Sequence, residues 1–299
     1  MKNLIYLLLA IPLLFTSCSN DDLAPSEESV QVSFCAEIPN QLGTRASSTL
    51  SVDKVYCAVF ENNVEIPTLR QAIDIVDGEP IVFAPRLIKG RSYDIVFWAS
   101  KAGSYNVSDM TAITRNTSIP ETDFDAFTAT TPITVEGNYS TSITLKRPIA
   151  QLNMGVTPED WDGVANLNTF NMTPTTIILK IDGKSTFNAL TGNAVGTDSE
   201  IIYTLSVSGA EFTCKENTYK SIAMCYILSE STKETNNIKY SIYDQNGATI
   251  RENVDIIHVP LQQNYKTNVV GGLLTGTISY TIGFDDEFIT DDDHNKEIE

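Results

Sequence analysis

The 299-residue chain is poor in basic side chains: 20 lysines and arginines stand against 38 aspartates and glutamates, a formal net charge of -18. Nucleic acid and anionic lipid would both repel such a protein, so neither is an expected partner. Histidine is scarce too, with His258 and His294 far apart, and the five cysteines include no Cys-x-x-Cys pair. A zinc site or a redox dithiol is therefore not expected. No Gly-x-Ser-x-Gly elbow, P-loop or dinucleotide glycine fingerprint occurs, which removes the motifs of the common hydrolases and nucleotide enzymes. Carboxylates are plentiful, but no pair is singled out as general acid and base. The acidic runs Asp285-Asp286-Glu287 and Asp291-Asp292-Asp293 lack the spaced ligands and turn glycine of a calcium loop. The expectation is a non-enzyme with no catalytic residue, metal or cofactor. Long hydrophobic runs are also missing: the longest, Leu4 to Phe15, has 12 residues, short of the roughly 18 needed to span a membrane as a helix.

What is present begins at the N-terminus. Lys2, the apolar run, the small Thr16 and Ser17, and then Cys18 form a secretion leader over residues 1–17. Leu-Phe-Thr-Ser-Cys resembles a bacterial lipobox, in which the cysteine is lipidated and anchors the chain to the outer membrane; the alternative is an ordinary signal peptide. Residues 18–29 carry four acids and no base. Asp21 and Asp22, just behind the cysteine, resemble a surface-export signal of Bacteroidota lipoproteins, or else serve as a solvated spacer. Residues 285–299 hold eight acids and one lysine and read as a solvated tail, leaving a mildly acidic body. The other cysteines, Cys35, Cys57, Cys214 and Cys225, are expected as small buried hydrophobes, the alternative being two disulfides.

With 42% apolar residues the body can build a packed core, and its length suggests two domains. Val30, Val32, Phe34, Ala36 and Ile38 alternate with mostly polar partners, the period of a strand with one buried face. Strands are expected at Val52 to Phe60, Ile81 to Phe83, Tyr93 to Ala99 and Ile149 to Val156, and a hairpin at Ile133 to Val135 and Ser140 to Leu145. Further strands are expected at Thr175 to Ile181, Ile201 to Val207, Ser221 to Leu228, Lys239 to Tyr243, Thr249 to Val254, Tyr265 to Leu274 and Thr277 to Phe284. A short turn of helix is expected near Pro158 to Asp162 or within Ala112 to Phe127. The fold class is all-β: two tandem β-sandwiches, residues 30–147 and 148–284, joined near Arg147. Trp98 lies in an apolar strand and reads as core; Trp161 is a candidate for stacking on sugar.

Several segments resemble the fimbrillin-like lipoproteins of Bacteroidota. Tyr93-Asp94-Ile95-Val96-Phe97-Trp98-Ala99 is similar to their YDVVFWA strand. Leu145-Lys146-Arg147-Pro148-Ile149-Ala150-Gln151-Leu152-Asn153 resembles their domain junction. Tyr265-Lys266-Thr267-Asn268-Val269-Val270-Gly271-Gly272-Leu273-Leu274-Thr275 resembles a third segment, with Gly272 in place of the usual Asn. Gly43-Thr44-Arg45-Ala46 resembles the arginine cleavage site behind their first strand. The resemblance implies two transthyretin-like domains and a surface fimbrial subunit. It further implies cleavage between Arg45 and Ala46, loss of the strand bearing Val30, Val32, Phe34, Ala36 and Ile38, and filling of the groove by a strand from another subunit. Ile278, Tyr280, Ile282 and Phe284 share the parity of the lost strand and form a candidate donor. The implied partners are other fimbrial subunits, the outer membrane through lipid on Cys18, and a host or glycan receptor. The competing readings are an exposed loop arginine at Arg45 and a non-polymerising surface lipoprotein that binds glycans.

Overall fold

The computed structural model describes residues 27–39, 52–116, 119–165, 172–285 and 295–297. The fold is all-β; among the described residues the single α-helix is α1 (Pro158–Val164). The first half supplies β1 (Ser29–Glu37), β2 (Lys54–Glu61), β3 (Val64–Glu65), β4 (Gln71–Asp74), β5 (Ile81–Phe83), β6 (Arg86–Ile88), β7 (Ser92–Ser100), β8 (Tyr105–Asn106), β9 (Ile113–Arg115), β10 (Ala126–Thr134) and β11 (Tyr139–Thr144). The second half supplies β12 (Ile149–Val156), β13 (Pro174–Gly183), β14 (Thr186–Asn188), β15 (Asn193–Val195), β16 (Ser199–Ser206), β17 (Glu211–Cys214), β18 (Asn217–Leu228), β19 (Glu234–Asp244), β20 (Thr249–Leu261), β21 (Lys266–Gly272), β22 (Ser279–Asp285) and β23 (Asn295–Glu297).

In the first half, a sheet of order β11-β1-β5, with β6 also on β1, packs against a sheet of order β10-β7-β2-β3, with β4 on β2. Their shared core holds Val32, Phe34, Phe83, Val55, Ile95 and Phe97. The opposite face of β7 is buried as well: Val96 and Trp98 belong to another cluster with Phe60, Tyr105, Met110 and Phe187. Burial on both faces explains why Tyr93 to Ala99 reads as a nearly continuous apolar run rather than an alternation. The cover over that second face is a small sheet, β15-β14-β9-β8, which draws strands from both halves. Phe187 of β14 lies opposite Ile113 of β9.

The second half pairs a sheet of order β17-β18-β12-β21-β22-β23 with one of order β16-β13-β19-β20. Its core includes Leu152, Met154, Ile177, Leu179, Tyr240 and Val269. The two halves share a device. Each opens with a strand placed inside its sheet and paired parallel with a late strand of the same half, β1 with β11 and β12 with β21.

Most expected strands lie where the alternation placed them, and the turn at Asp244 to Gly247 has Gly247 at φ 76°. The hairpin expected around Glu136-Gly137-Asn138 does not form. β10 pairs with β7 in one sheet, whereas β11 pairs with β1 in the other. A short polar link between two alternating runs fixes neither its own geometry nor the partners of the strands it joins, and here it crosses between layers. Part of the acidic tail is paired, with Asn295–Glu297 forming β23 against Gly283–Asp285. Among the described residues no disulfide joins Cys35, Cys57, Cys214 or Cys225; the last three are buried and Cys35 is partly exposed. Cys214 sits opposite Asn217 at a turn, while Cys225 sits opposite Leu152.

Candidate functional site

The candidate site is the seat of β1. Val32 and Phe34 are completely buried and Ala36 nearly so, while Val30 and Ile38 pack at the margin of the same core. Phe34 is the centre of an aromatic group, 6.4 Å from Phe83 and 6.3 Å from Phe97 between ring centroids. Both backbone edges are occupied. On one side Val32 to Glu37 run parallel to Tyr139 to Thr144. On the other, Phe34, Cys35 and Ala36 face Phe83, Val82 and Ile81, while Ser29, Val30 and Gln31 face Ile88, Leu87 and Arg86. The bends between β5 and β6 are bridged by the Val32 amide, which donates to the Pro85 carbonyl at 3.1 Å.

Charge fixes the entrance. Glu28 pairs with Lys89 at 2.9 Å, and Glu27 pairs with Arg91, which also holds Glu61. Hydrogen bonds to Glu27 and Glu61 raise the Arg91 guanidinium above its ordinary value. These exposed pairs orient the segment but contribute little stability. Beneath the strand, burial pushes the Cys57 thiol up to about 12.

Removing β1 would therefore leave two unpaired backbone edges and an apolar trough floored by Phe83, Phe97 and Val55. Cys18, Arg45 and Ala46 lie outside the described residues. In sequence Arg45 falls between β1 and β2, which sit in different sheets.

The residues considered as a donor lie elsewhere. Tyr280, Ile282 and Phe284 belong to β22, with Ile278 just before it; Ile278, Tyr280 and Ile282 pack on the core of the second half, and Phe284 is buried with its ring stacked on Tyr265. The whole of β22 pairs with β21, but β23 covers only its last part, Gly283–Asp285. Ile278, Tyr280 and Ile282 are half-buried, in contrast to the fully buried positions of β1. The structure thus does not bring β1 and β22 together within one chain. Trp98 is core, and Trp161 lies partly buried against the second core with its ring over Gly209.

Sequence reasoning did not foresee three polar clamps. Arg147, buried, donates from Nε and Nη2 to both oxygens of Asp125 at 2.7 and 3.0 Å, and lies 4.5 Å over the Phe127 ring. The Asn153 amide donates to the Asn268 side chain at 2.8 Å across the parallel β12–β21 pair. The Asp160 carboxylate accepts from the backbone amides of Leu273, Leu274 and Thr275, each at 2.7 Å, and from the Thr275 hydroxyl at 2.6 Å. Thr157, the N-cap of α1, accepts from the Asp160 amide at 3.2 Å and so sets that carboxylate in place. The Thr-Pro-Glu-Asp sequence at residues 157–160 signals the helix start, but its target more than a hundred residues later leaves no local trace.

The sequence matches, over residues 25–299, a family described as "Family of unknown function (DUF6562)". No curated protein matches the chain. Similar solved structures include a candidate polysaccharide-binding protein (DUF1812) from Bacteroides thetaiotaomicron, at 12% identity and a TM-score of 0.49, covering 90% of this chain and 98% of that one. A candidate cell-adhesion protein from Bacteroides uniformis is 11% identical with a TM-score of 0.49, covering 88% of this chain and 99% of that one. The fimbrial anchor protein Mfa2 from Porphyromonas gingivalis is 11% identical with a TM-score of 0.45, covering 86% of this chain and 96% of that one.

Proposed function

The chain belongs to DUF6562, a family of unknown function, so its role has to be read from its own geometry, and we propose that it is a cell-surface fimbrial or adhesion subunit that assembles by exchange of its first strand. The observation that carries the reading is the seat of β1: an N-terminal strand that is buried, paired on both edges, and followed by a connection containing an arginine. Proteolysis there would free β1 without cutting any described strand of the remaining sandwich. In the complete reading, residues 30–147 and 148–284 are two sandwich domains, and lipid on Cys18 holds the precursor at the outer membrane.

A cut between Arg45 and Ala46 removes the anchor and opens the trough in a single step. The trough then demands a strand with apolar side chains at every second position. Ile278, Tyr280, Ile282 and Phe284 supply that spacing; the first three are half-buried, and among the described residues the outer edge of β22 is covered only at Gly283–Asp285. Release of β22 costs its pairing with β21, which capture by a fully buried seat would offset. Because donor and acceptor are different surfaces, the contact is head-to-tail and propagates into a filament.

The test is the mature protein on its own cells. Surface extracts should contain an SDS-resistant ladder of subunits, and Arg45→Ala should abolish both the ladder and the truncated monomer. A ladder that persists unchanged in Arg45→Ala contradicts the proposal.

A further inference from the structure

A second feature lies in the half that does not hold β1, and it is independent of strand exchange. β16 pairs with β13 over its whole length without a register shift, and no described strand lies on its other side. The Val207 amide donates to the Thr175 carbonyl at 2.9 Å, which continues that register and fixes the phase of its hydrogen bonds. In an antiparallel ladder alternate residues bond the neighbouring strand, and those between them turn amide and carbonyl the other way. Ile202, Thr204 and Ser206 therefore turn theirs away from β13, and no described residue bonds those groups. All three residues are exposed.

A cavity of about 760 Å³ lies along this edge. Ile201 to Ser206 all border it although their side chains alternate between two faces, so the cavity meets β16 at its backbone. The opposite wall is closed. Arg115, 4.9 Å over the Tyr203 ring, pairs with Glu121 and donates to the Tyr226 carbonyl of β18 at 2.6 Å. The two outer strands of this sheet are treated differently. β20, on the far side, breaks register with β19 at three places and carries Asn253 and His258 at positive φ. Such bulges blunt an edge against unwanted pairing. β16 has no bulge, no proline and no lysine.

Shape and charge narrow the occupant. Ile201 to Ser206 offer about 20 Å of edge at about 3.3 Å per residue, the reach of a short extended segment. A strand added there continues the sheet, and the face it shares with Tyr203 and Leu205 turns toward Met224 and Leu228 of β18. The Ile201 end is acidic. Asp182 of β13 stands directly opposite Glu200 of β16, a like-charge pair that costs stability. Lys180 holds Glu200 at 3.2 Å. The hydrogen bond that Lys184 donates to Glu230 raises its ammonium above its ordinary value, and the charges of Glu234 and Asp198 add to the rise. Five carboxylates thus share two ammonium groups. A second copy of this chain, at a net charge of -18, is a poor complement to that end. We propose that β16 is a docking edge for an extended segment of another protein, apolar at alternate positions and bearing a lysine or arginine beside Asp198 and Glu200. Pairing by strand addition supplies the affinity, and the acidic end sets the orientation.

The test uses the full secreted chain with β1 in its seat, so that the trough of strand exchange is filled and cannot take the probe. The probes are labelled hexapeptides with blocked ends, Lys-Val-Thr-Val-Thr-Val and Val-Thr-Val-Thr-Val-Lys, followed by fluorescence anisotropy. One of the two should bind, and glutamate in place of its lysine should weaken binding about two- to fivefold, the size of an exposed charge pair. N-methylation of one alternating set of peptide amides should abolish binding, and methylation of the other set should be tolerated. Thr204→Pro removes an amide that no described residue uses, at an edge position where proline is accepted. Its melting temperature should hold while binding falls about tenfold or more. The N-methyl comparison needs no variant and decides the matter if Thr204→Pro fails to fold. Absence of binding by both peptides, equal binding of all N-methylated forms, or binding indifferent to Thr204→Pro in a folded chain would each overturn the proposal. So would displacement of the peptide by cellohexaose, which assigns the cavity to a saccharide, or self-association of the chain that Thr204→Pro abolishes, which assigns the edge to a second copy.

Discussion

Consider a chain starting at Ala46, mixed with a synthetic peptide of residues 27–39. If β1 is an exchangeable strand, the peptide should bind the truncated chain, and Phe34 should dominate the affinity. Phe34 is completely buried and in contact with Phe83 and Phe97. Truncating a buried phenylalanine to alanine costs about 3–5 kcal/mol, the lost transfer energy together with the cavity it leaves. At about 1.4 kcal/mol per factor of ten, Phe34→Ala in the peptide should weaken binding by about a hundredfold to several thousandfold. Gln31 occupies the same strand but points outward and is exposed, so Gln31→Ala should stay within about 0.5 kcal/mol, close to twofold. Fluorescence anisotropy of a labelled peptide measures both. Equal loss at Phe34 and Gln31, or no binding of the unaltered peptide, would refute the reasoning.

Other outcomes follow from the clamps and the core. Asp160→Ala leaves the amides of Leu273, Leu274 and Thr275 without this acceptor and should destabilise the chain by about 3 kcal/mol or more in urea unfolding, at about 1–3 kcal/mol per stranded group. Gly271→Ala would place a Cβ 2.2 Å from the Ser279 carbonyl oxygen, so β22 must shift away from β21; hydrogen exchange should show faster exchange along β22, while β1 is unchanged. Asp125→Ala removes the carboxylate that Arg147 Nε and Nη2 both bond in a buried site and should cost about 3–5 kcal/mol by chemical denaturation. In the folded protein Cys35, which is partly exposed, should react with a thiol reagent at pH 8 well before Cys57, whose thiol burial pushes up to about 12. Because that folded value is raised, the protonated thiol's contribution is intact below the unfolded value of 9.0 and is lost as pH climbs toward about 12. Cys57→Ser should therefore reduce the steepness of alkaline unfolding in that window.

Much of the fold was legible because alternation reports which face of a strand is buried. The run Val30 to Ile38 identified the inward positions of β1, and Ile81 to Phe83 and Ile149 to Val156 coincide with β5 and β12. Alternation does not say which strands pair. The parallel partnership of β1 with β11 was invisible, and the short link after Val135 invited a hairpin that the sheets reject. The two- and three-residue strands of the bridging sheet, β8, β9, β14 and β15, are too short to carry a period. The clamps illustrate a different limit. Arg147, Asn153 and Asn268 stood in segments noted for their resemblance to a family, but Asp125 and Asp160 did not, because an acceptor is defined by the donors that the fold delivers to it. The cavity around Arg115 and Tyr203 is likewise assembled from elements about ninety residues apart in sequence, and nothing local announces it.

The central claim concerns β1, and sequencing the N-terminus of the protein taken from the cell surface tests it most directly. Strand exchange predicts a mature chain that begins at Ala46, without Cys18 and without Val30 to Ile38. A mature chain that begins at Cys18 and keeps its first strand would contradict it.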